Sequence, residues 1–183
     1  MIREDKDKFE EMDQQMYDLC MDKLREVYKI AIIMDCEAQF SELDGSIPAL
    51  AIAVNSKGND KEPRIVVVAF LPMNVGGSDK LIAQIMVSIS EQIPMNKRRE
   101  VEELIQFFNN VFTLGKFSVI GEVLLSRYAF YADEGVDIDQ VLYSKTILML
   151  AKEADTMEGY LEMLLQEDSN IDKLIDEICD LYG

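Results

Sequence analysis

The chain contains no histidine in 183 residues. That absence removes the commonest general base, the usual serine or cysteine triads, and most zinc sites. Cysteine is scarce as well. Cys20, Cys36 and Cys179 are far apart, odd in number and without a C-x-x-C spacing, which fits reduced thiols used as small buried hydrophobes. Long apolar runs are also missing. The longest, Ile65 to Met73, contains a proline and falls well short of the ~18 residues that a membrane span needs. The opening MIREDKDKFEEMDQQ is charged throughout and lacks the apolar core of a secretory leader. A cytoplasmic protein that does not enter membranes is the expectation, and nothing in the pattern calls for a cofactor or a metal.

Basic residues are in short supply. Eighteen Lys and Arg face thirty-five Asp and Glu, giving −17 and a pI near 4.3. Such a surface repels phosphate backbones and anionic lipid, so nucleic acid and membranes are poor partners. It favours solubility and could steer a basic partner. Residues 133–183 hold fourteen acidic and three basic side chains, so −11 of the −17 lies there.

What is present is clear periodicity. Phe9, Met12, Met16, Leu19, Leu24, Val27, Ile30 and Met34 recur at a 3–4 spacing, predicting an amphipathic helix over about 5–33. The turn signal at 44–46 marks a change of period. ALAIAV (49–54), RIVVVAFLP (64–72) and KLIAQIMVSIS (80–90) read as three strands, with polar or Gly-rich turns between them. A helix could be drawn through 79–92, but the β-branched content and the flanking Gly-Gly and Pro94 favour a strand. After Pro94, Val101, Leu104, Ile105, Phe108, Val111 and Phe112 form one helical stripe, with Asn96 as its N-cap. A long helix is expected over about 139–166, with a kink at Gly159, and a short one over 171–181.

Between the middle and long helices lies TLGKFSVIGEVLLSRYAFY. Gly121-Glu122 fits a two-residue type II′ turn. The implied register sets Ile120 against Val123, Ser118 against Leu125, Phe117 against Ser126 and Lys116 against Arg127. One face then carries Phe117, Val119, Leu124, Tyr128 and Phe130, a core face. The other carries Ile120, Val123, Leu125, Lys116, Arg127 and Ser118, too aliphatic for an ordinary solvent face. The element order is α-β-β-β-α-β-β-α plus a short last helix. It predicts an α+β fold with an antiparallel sheet of about five strands, in one domain over 1–168 followed by an acidic helix over 169–183.

The segment IPMNKRREVEELIQFFNNVFTLGKFSVIGEVLLSRYAFYADEGVDIDQVLYSK resembles the YbjN-like proteins, which share their fold with the small chaperones of type III secretion. The likeness rests on a helix of pattern P…R…V…LI…N running into LGKF, then a hairpin and RYAF. It is clearest over 94–150 and looser, by element order, before that. The resemblance implies a dimeric protein without enzymatic activity that holds partner segments on apolar patches. It carries over no catalytic residue.

Several side-chain groups admit a bland and a sharp reading. Lys116 opposite Arg127 is a like-charge pair, unfavourable by up to ~1 kcal/mol, that an internal carboxylate or one from a second chain would relieve. Lys97, Arg98 and Arg99 are met locally by Glu102 and Glu103, four residues beyond Arg98 and Arg99, or else by a dimer mate. Asp133, Glu134, Asp137 and Asp139 do not follow the spacing of a calcium loop and read as a solvated loop with helix caps. Asp172, Asp176 and Asp180 form a solvated row on the last helix.

An area argument favours binding over catalysis. The helices cover one face of the sheet. The other keeps Ile120, Val123 and Leu125, joined by apolar positions Val66 and Val68 of the second predicted strand. Apolar patches beyond ~400 Å² are uncommon on monomers, and burying one is worth roughly 10 kcal/mol before association costs. The expected role is a protein-binding one, chaperone-like or adaptor-like, with a homodimer, a client segment or both on that face. The alternative is a subunit of a larger assembly that holds a basic partner through its acidic helices.

Overall fold

A computed structural model describes residues 14–43, 45–55, 62–75, 78–90, 92–112, 114–132, 136–166 and 169–182. Helix α1 (Gln14–Ile33) comes first, and what was expected of 5–13 lies outside the described residues. Four strands follow: β1 (Glu37–Leu43), β2 (Ile47–Val54), β3 (Arg64–Val75) and β4 (Ser78–Ser90). Helix α2 (Arg98–Val111) leads into the hairpin β5 (Lys116–Ile120) and β6 (Val123–Ala132). Helices α3 (Gln140–Leu164) and α4 (Ile171–Tyr182) complete the chain.

The fold is α+β, as expected, with one strand more. The six strands form a single antiparallel sheet in the order β1-β2-β3-β4-β6-β5. The additional strand is EAQFSEL at one edge, every residue exposed or half-buried. Its alternation is short, Ala38 and Phe40 between Glu37, Gln39 and Ser41, and it breaks at Glu42-Leu43, so the signal is weak.

The hairpin register matches the expected pairing, with Ile120 opposite Val123 and Lys116 opposite Arg127. Gly121 has φ 63°, as the first central position of its turn requires. The tip is held from outside, since Arg98 donates to the Gly121 carbonyl at 2.9 Å and the Ile93 amide to that of Glu122 at 3.0 Å.

Asn96 does not cap α2. Pro94 is extended and its carbonyl accepts from Lys97 at 3.0 Å, closing a turn of 3-10 helix over Met95–Lys97, so Asn96 falls inside that turn and Lys97 takes the cap position. Asp139 does cap α3, accepting from the amides of Val141 and Leu142 at 2.9 and 3.0 Å.

One face of the sheet is the core. Leu50 and Ile52 of β2, Val66, Val68 and Phe70 of β3, Ile85 and Val87 of β4 and Leu124 of β6 are all 0% exposed. Against them pack Leu24 and Val27 of α1, Leu104 and Phe108 of α2 and Ile147 and Leu150 of α3. Each such burial contributes roughly 1.5–3 kcal/mol. Helix α4 joins the same core through Ile171, Leu174 and Ile178, while Asp172, Asp176 and Asp180 stay exposed. Its stripe is thus met within its own chain. Arg64, at the start of β3, binds Asp155 at 2.6 Å and Glu158 at 2.8 Å, pinning the sheet to α3.

Candidate functional site: the open face of the sheet

Side chains alternate along a strand, so each strand that gives one set of residues to the helices gives the other set to the opposite face. Among the described residues, no helix packs on that opposite face. All the apolar residues clustered there come from strands: Ile47, Ala49 and Ala69, with Leu43, Val67 and Leu71 around them. Ala49 and Ala69 are wholly buried at the bottom of this group.

The registers join the strands into rows. One row runs Gln39, Ala51, Val67, Met86, Arg127, Lys116 from edge to edge. The next runs Ser41, Ala49, Ala69, Gln84, Ala129. Small residues fill β2, and larger ones stand around them. Ile65 is 48% exposed, Ile120 61% and Tyr131 63%. Six strands at ~4.8 Å spacing make this surface roughly 24 Å wide.

Five of the seven residues expected here are on this face. Ile120 is exposed, Val123 and Leu125 are half-buried, and Lys116 and Arg127 are exposed. Val66 and Val68 are not. Both are 0% exposed among helix side chains. A strand apolar on both faces gives no parity signal, and the register with β2 settles it: Val66 pairs with Ile52 and Val68 with Leu50, both core residues. Their neighbours Ile65 and Val67 take their place.

The like-charge pair Lys116–Arg127 is met in part by an internal carboxylate, since the buried Glu153 interacts electrostatically with Lys116. Lys116 Nζ turns to the Asn109 carbonyl at the end of α2, at 2.7 Å, a favourable place for a cation. Arg127 makes no hydrogen bond or ion pair with a described residue. On β4, Lys80 lies over the Tyr131 ring, 5.8 Å from its centroid.

The two sheet edges differ. The Asn109 side chain accepts from the Phe117 amide at 2.7 Å and donates to the Phe117 carbonyl at 3.0 Å, so the β5 edge is closed by a mimic of a neighbouring strand. Beneath the hairpin, on the helix side, Glu153 is buried and accepts from the Gly115 amide at 3.1 Å. Burial pushes its carboxyl up, and the Gly115 and Leu114 amides and the Lys116 charge pull it partly back. The Ser126 hydroxyl is buried beside it without a hydrogen-bond partner.

The remaining groups follow local rules. Arg98 meets Glu102 at 3.0 Å and Arg99 meets Glu103 at 3.1 Å, the helical spacing expected. Asp133 and Glu134 lie outside the described residues. No group of three or more Cys, Asp or Glu side chains among the described residues is placed to hold a metal ion. Cys20 is buried against the Phe70 carbonyl, and burial pushes its thiol up to about 11. Cys36 is half-buried. Cys179 is exposed on α4, so it is not the small buried hydrophobe expected.

A hollow of about 320 Å³ between α3 and α4 is lined by Lys173 and Glu177 among others, one charge of each sign. Another of about 180 Å³ lies by Lys23 and Tyr143, where Lys23 is already bound to the Val136 carbonyl at 2.6 Å. Asp137 and Asp139 line this second hollow too, and the Asp139 carboxylate is engaged in capping α3. On the outer side of α3, Val141, Leu142, Leu148 and Met149 make a narrower exposed apolar strip beside Lys145 and Lys152. Among the described residues, no helix is long and apolar enough to cross a membrane.

No family model matches the chain, and no curated protein matches it.

Proposed function

We propose that this is a protein-binding protein without enzymatic activity, chaperone-like or adaptor-like, that docks a partner polypeptide or a second copy of itself on the open face of its sheet. The observation that carries the reading is the apolar row structure of that face, free of helices across six strands among the described residues. A sheet with one wet face normally alternates apolar with polar residues. Here β2 and β3 give Ile47, Ala49, Ala51, Ala53, Ile65, Val67, Ala69 and Leu71 to the outside. Leaving such a surface to water has a cost that a bound polypeptide removes.

The YbjN-like and secretion-chaperone-like kinship of 94–150 belongs to this reading. It is supported by helix α2 lying between the meander and the hairpin, where that fold expects a helix. The extra edge strand departs from it.

Photo-crosslinking tests the proposal. A crosslinking side chain at Ile65 or Ile120, in the native cell, should trap a polypeptide, whether another protein or the same chain. The same group at Asp176, exposed on α4, should not. Equal adducts from both places, or none from the sheet, would sink the reading.

A further inference from the structure

We propose that the open face takes an acidic, apolar segment of another protein, seated on Val67, Met86 and Leu125 with a carboxylate on Arg127. The inference rests on the docking reading above and adds the charge of the partner.

The bulk composition points the other way, because a chain at −17 should attract basic partners. The charges on the open face differ from the bulk. Among the described strand residues that face outward, the cations are Lys80, Lys116 and Arg127, and the one anion is Glu37, on the far edge strand. Two of the cations are engaged, Lys80 by the Tyr131 ring and Lys116 by the Asn109 carbonyl. Arg127 makes no hydrogen bond or ion pair among the described residues, although the chain holds nearly two acids for each base. It stands in register between Met86 and Lys116, so an apolar contact and a charge contact lie side by side.

This pattern selects among occupants. A second copy laid face to face would bring the same three cations and one carboxylate, leaving Arg127 short of counter-charge. A basic segment would meet like charge at the point of contact. An acidic segment gains a charge-assisted, bidentate site, which guanidinium geometry suits. The long-range repulsion from −17 decays over about 8 Å at physiological salt, so contact chemistry decides. A width of roughly 24 Å matches about four helical turns or about seven extended residues.

The test uses three labelled synthetic peptides of sixteen residues, with leucine at helical spacing and glutamate, glutamine or lysine between. Fluorescence anisotropy reads their binding to the full chain. The Glu peptide should bind at least about fivefold tighter than the Gln peptide, and the Lys peptide weakest. Arg127→Gln should erase the Glu-over-Gln margin, and Arg127→Glu should reverse the order. Arg127 is exposed and stands opposite Lys116, so neither variant should lower the urea midpoint, and Arg127→Glu should raise it slightly. Val67→Asp should remove binding of all three peptides.

A ranking with the Lys peptide tightest, or a ranking that Arg127→Glu leaves unchanged, overturns the acidic-partner proposal while docking itself stands. Failure of every peptide to bind, together with no adduct from Ile65 or Ile120, overturns both. A concentration-dependent dimer that Arg127→Glu strengthens gives the face to a second copy and overturns the acidic-partner proposal.

Discussion

Val67 and Val68 are adjacent, identical in chemistry and opposite in environment. Val68 is 0% exposed beneath the helices, whereas Val67 is half-buried on the open face. Truncating each to alanine removes the same two methyl groups and loses the same strand preference, so any difference reports what covers the side chain. At Val68, two buried carbons at ~0.8 kcal/mol each give ~1.6 kcal/mol, and the cavity left behind raises the cost to roughly 2–3 kcal/mol. At Val67, strand preference and partial burial set a ceiling of about 1 kcal/mol. For a chain of this size each kcal/mol moves Tm by about 2–4 °C. Val68→Ala should therefore lower Tm by roughly 5–10 °C, and Val67→Ala by about 4 °C at most. Thermal unfolding of both variants, with urea unfolding at two protein concentrations beside it, measures this. Equal costs would mean that the open face is covered in the isolated chain. A Val67→Ala cost that grows with protein concentration would mean that a second copy covers it.

Three further outcomes follow from the hairpin and the residues beneath it. Glu153 has a carboxyl raised by burial, so the native chain holds that proton more tightly than the unfolded chain does. Ionisation thus costs stability, a cost absent below the ordinary value of 4.5 and fully present above the raised native value; Glu153→Gln should be more stable than wild type at pH 8, with the gap closing as pH falls, and a gap independent of pH would contradict this. A Cβ at Gly115 would stand 2.3 Å from Ser126 Oγ and 2.7 Å from Leu150 Cδ2, so Gly115→Ala should cost about 1–3 kcal/mol in urea unfolding; adding Ser126→Ala, which removes an unpartnered hydroxyl, should recover part of that loss. Asn109→Ala strips the Phe117 amide and carbonyl of their partners; it should cost about 1–3 kcal/mol and, by opening the β5 edge, increase aggregation seen by light scattering.

Much of this fold was legible because its signals are local. The two-residue turn at Gly121-Glu122 set the hairpin register residue by residue, and β4 was recognisable from β-branched residues between Gly-Gly and Pro94. The edge strand β1 was not. EAQFSEL offers only Ala38 and Phe40 as alternating apolar residues, too short a run to stand out, and pairing with β2 makes it a strand. The cap of α2 was misplaced because Pro94 starts a tight turn before the helix begins. The candidate surface was legible in the hairpin, where one face is plainly core. It was illegible in β3, where Val66, Val67 and Val68 are chemically alike and only cross-strand register assigns them to sides. The freedom of Arg127 could not be read at all, since it depends on where Lys116 and the carboxylates point in three dimensions.

The central claim, that a polypeptide seats on the open face, is tested most directly by methyl NMR. The labelled full chain is titrated with the sixteen-residue Glu peptide. The account predicts shifts confined to Ile65, Val67, Leu71, Ile82, Ile120, Val123 and Leu125, with Ile147, Leu150 and Ile178 on the helix side unmoved. Shifts centred on the α3 strip at Val141, Leu142 and Leu148, with the sheet methyls silent, would contradict it.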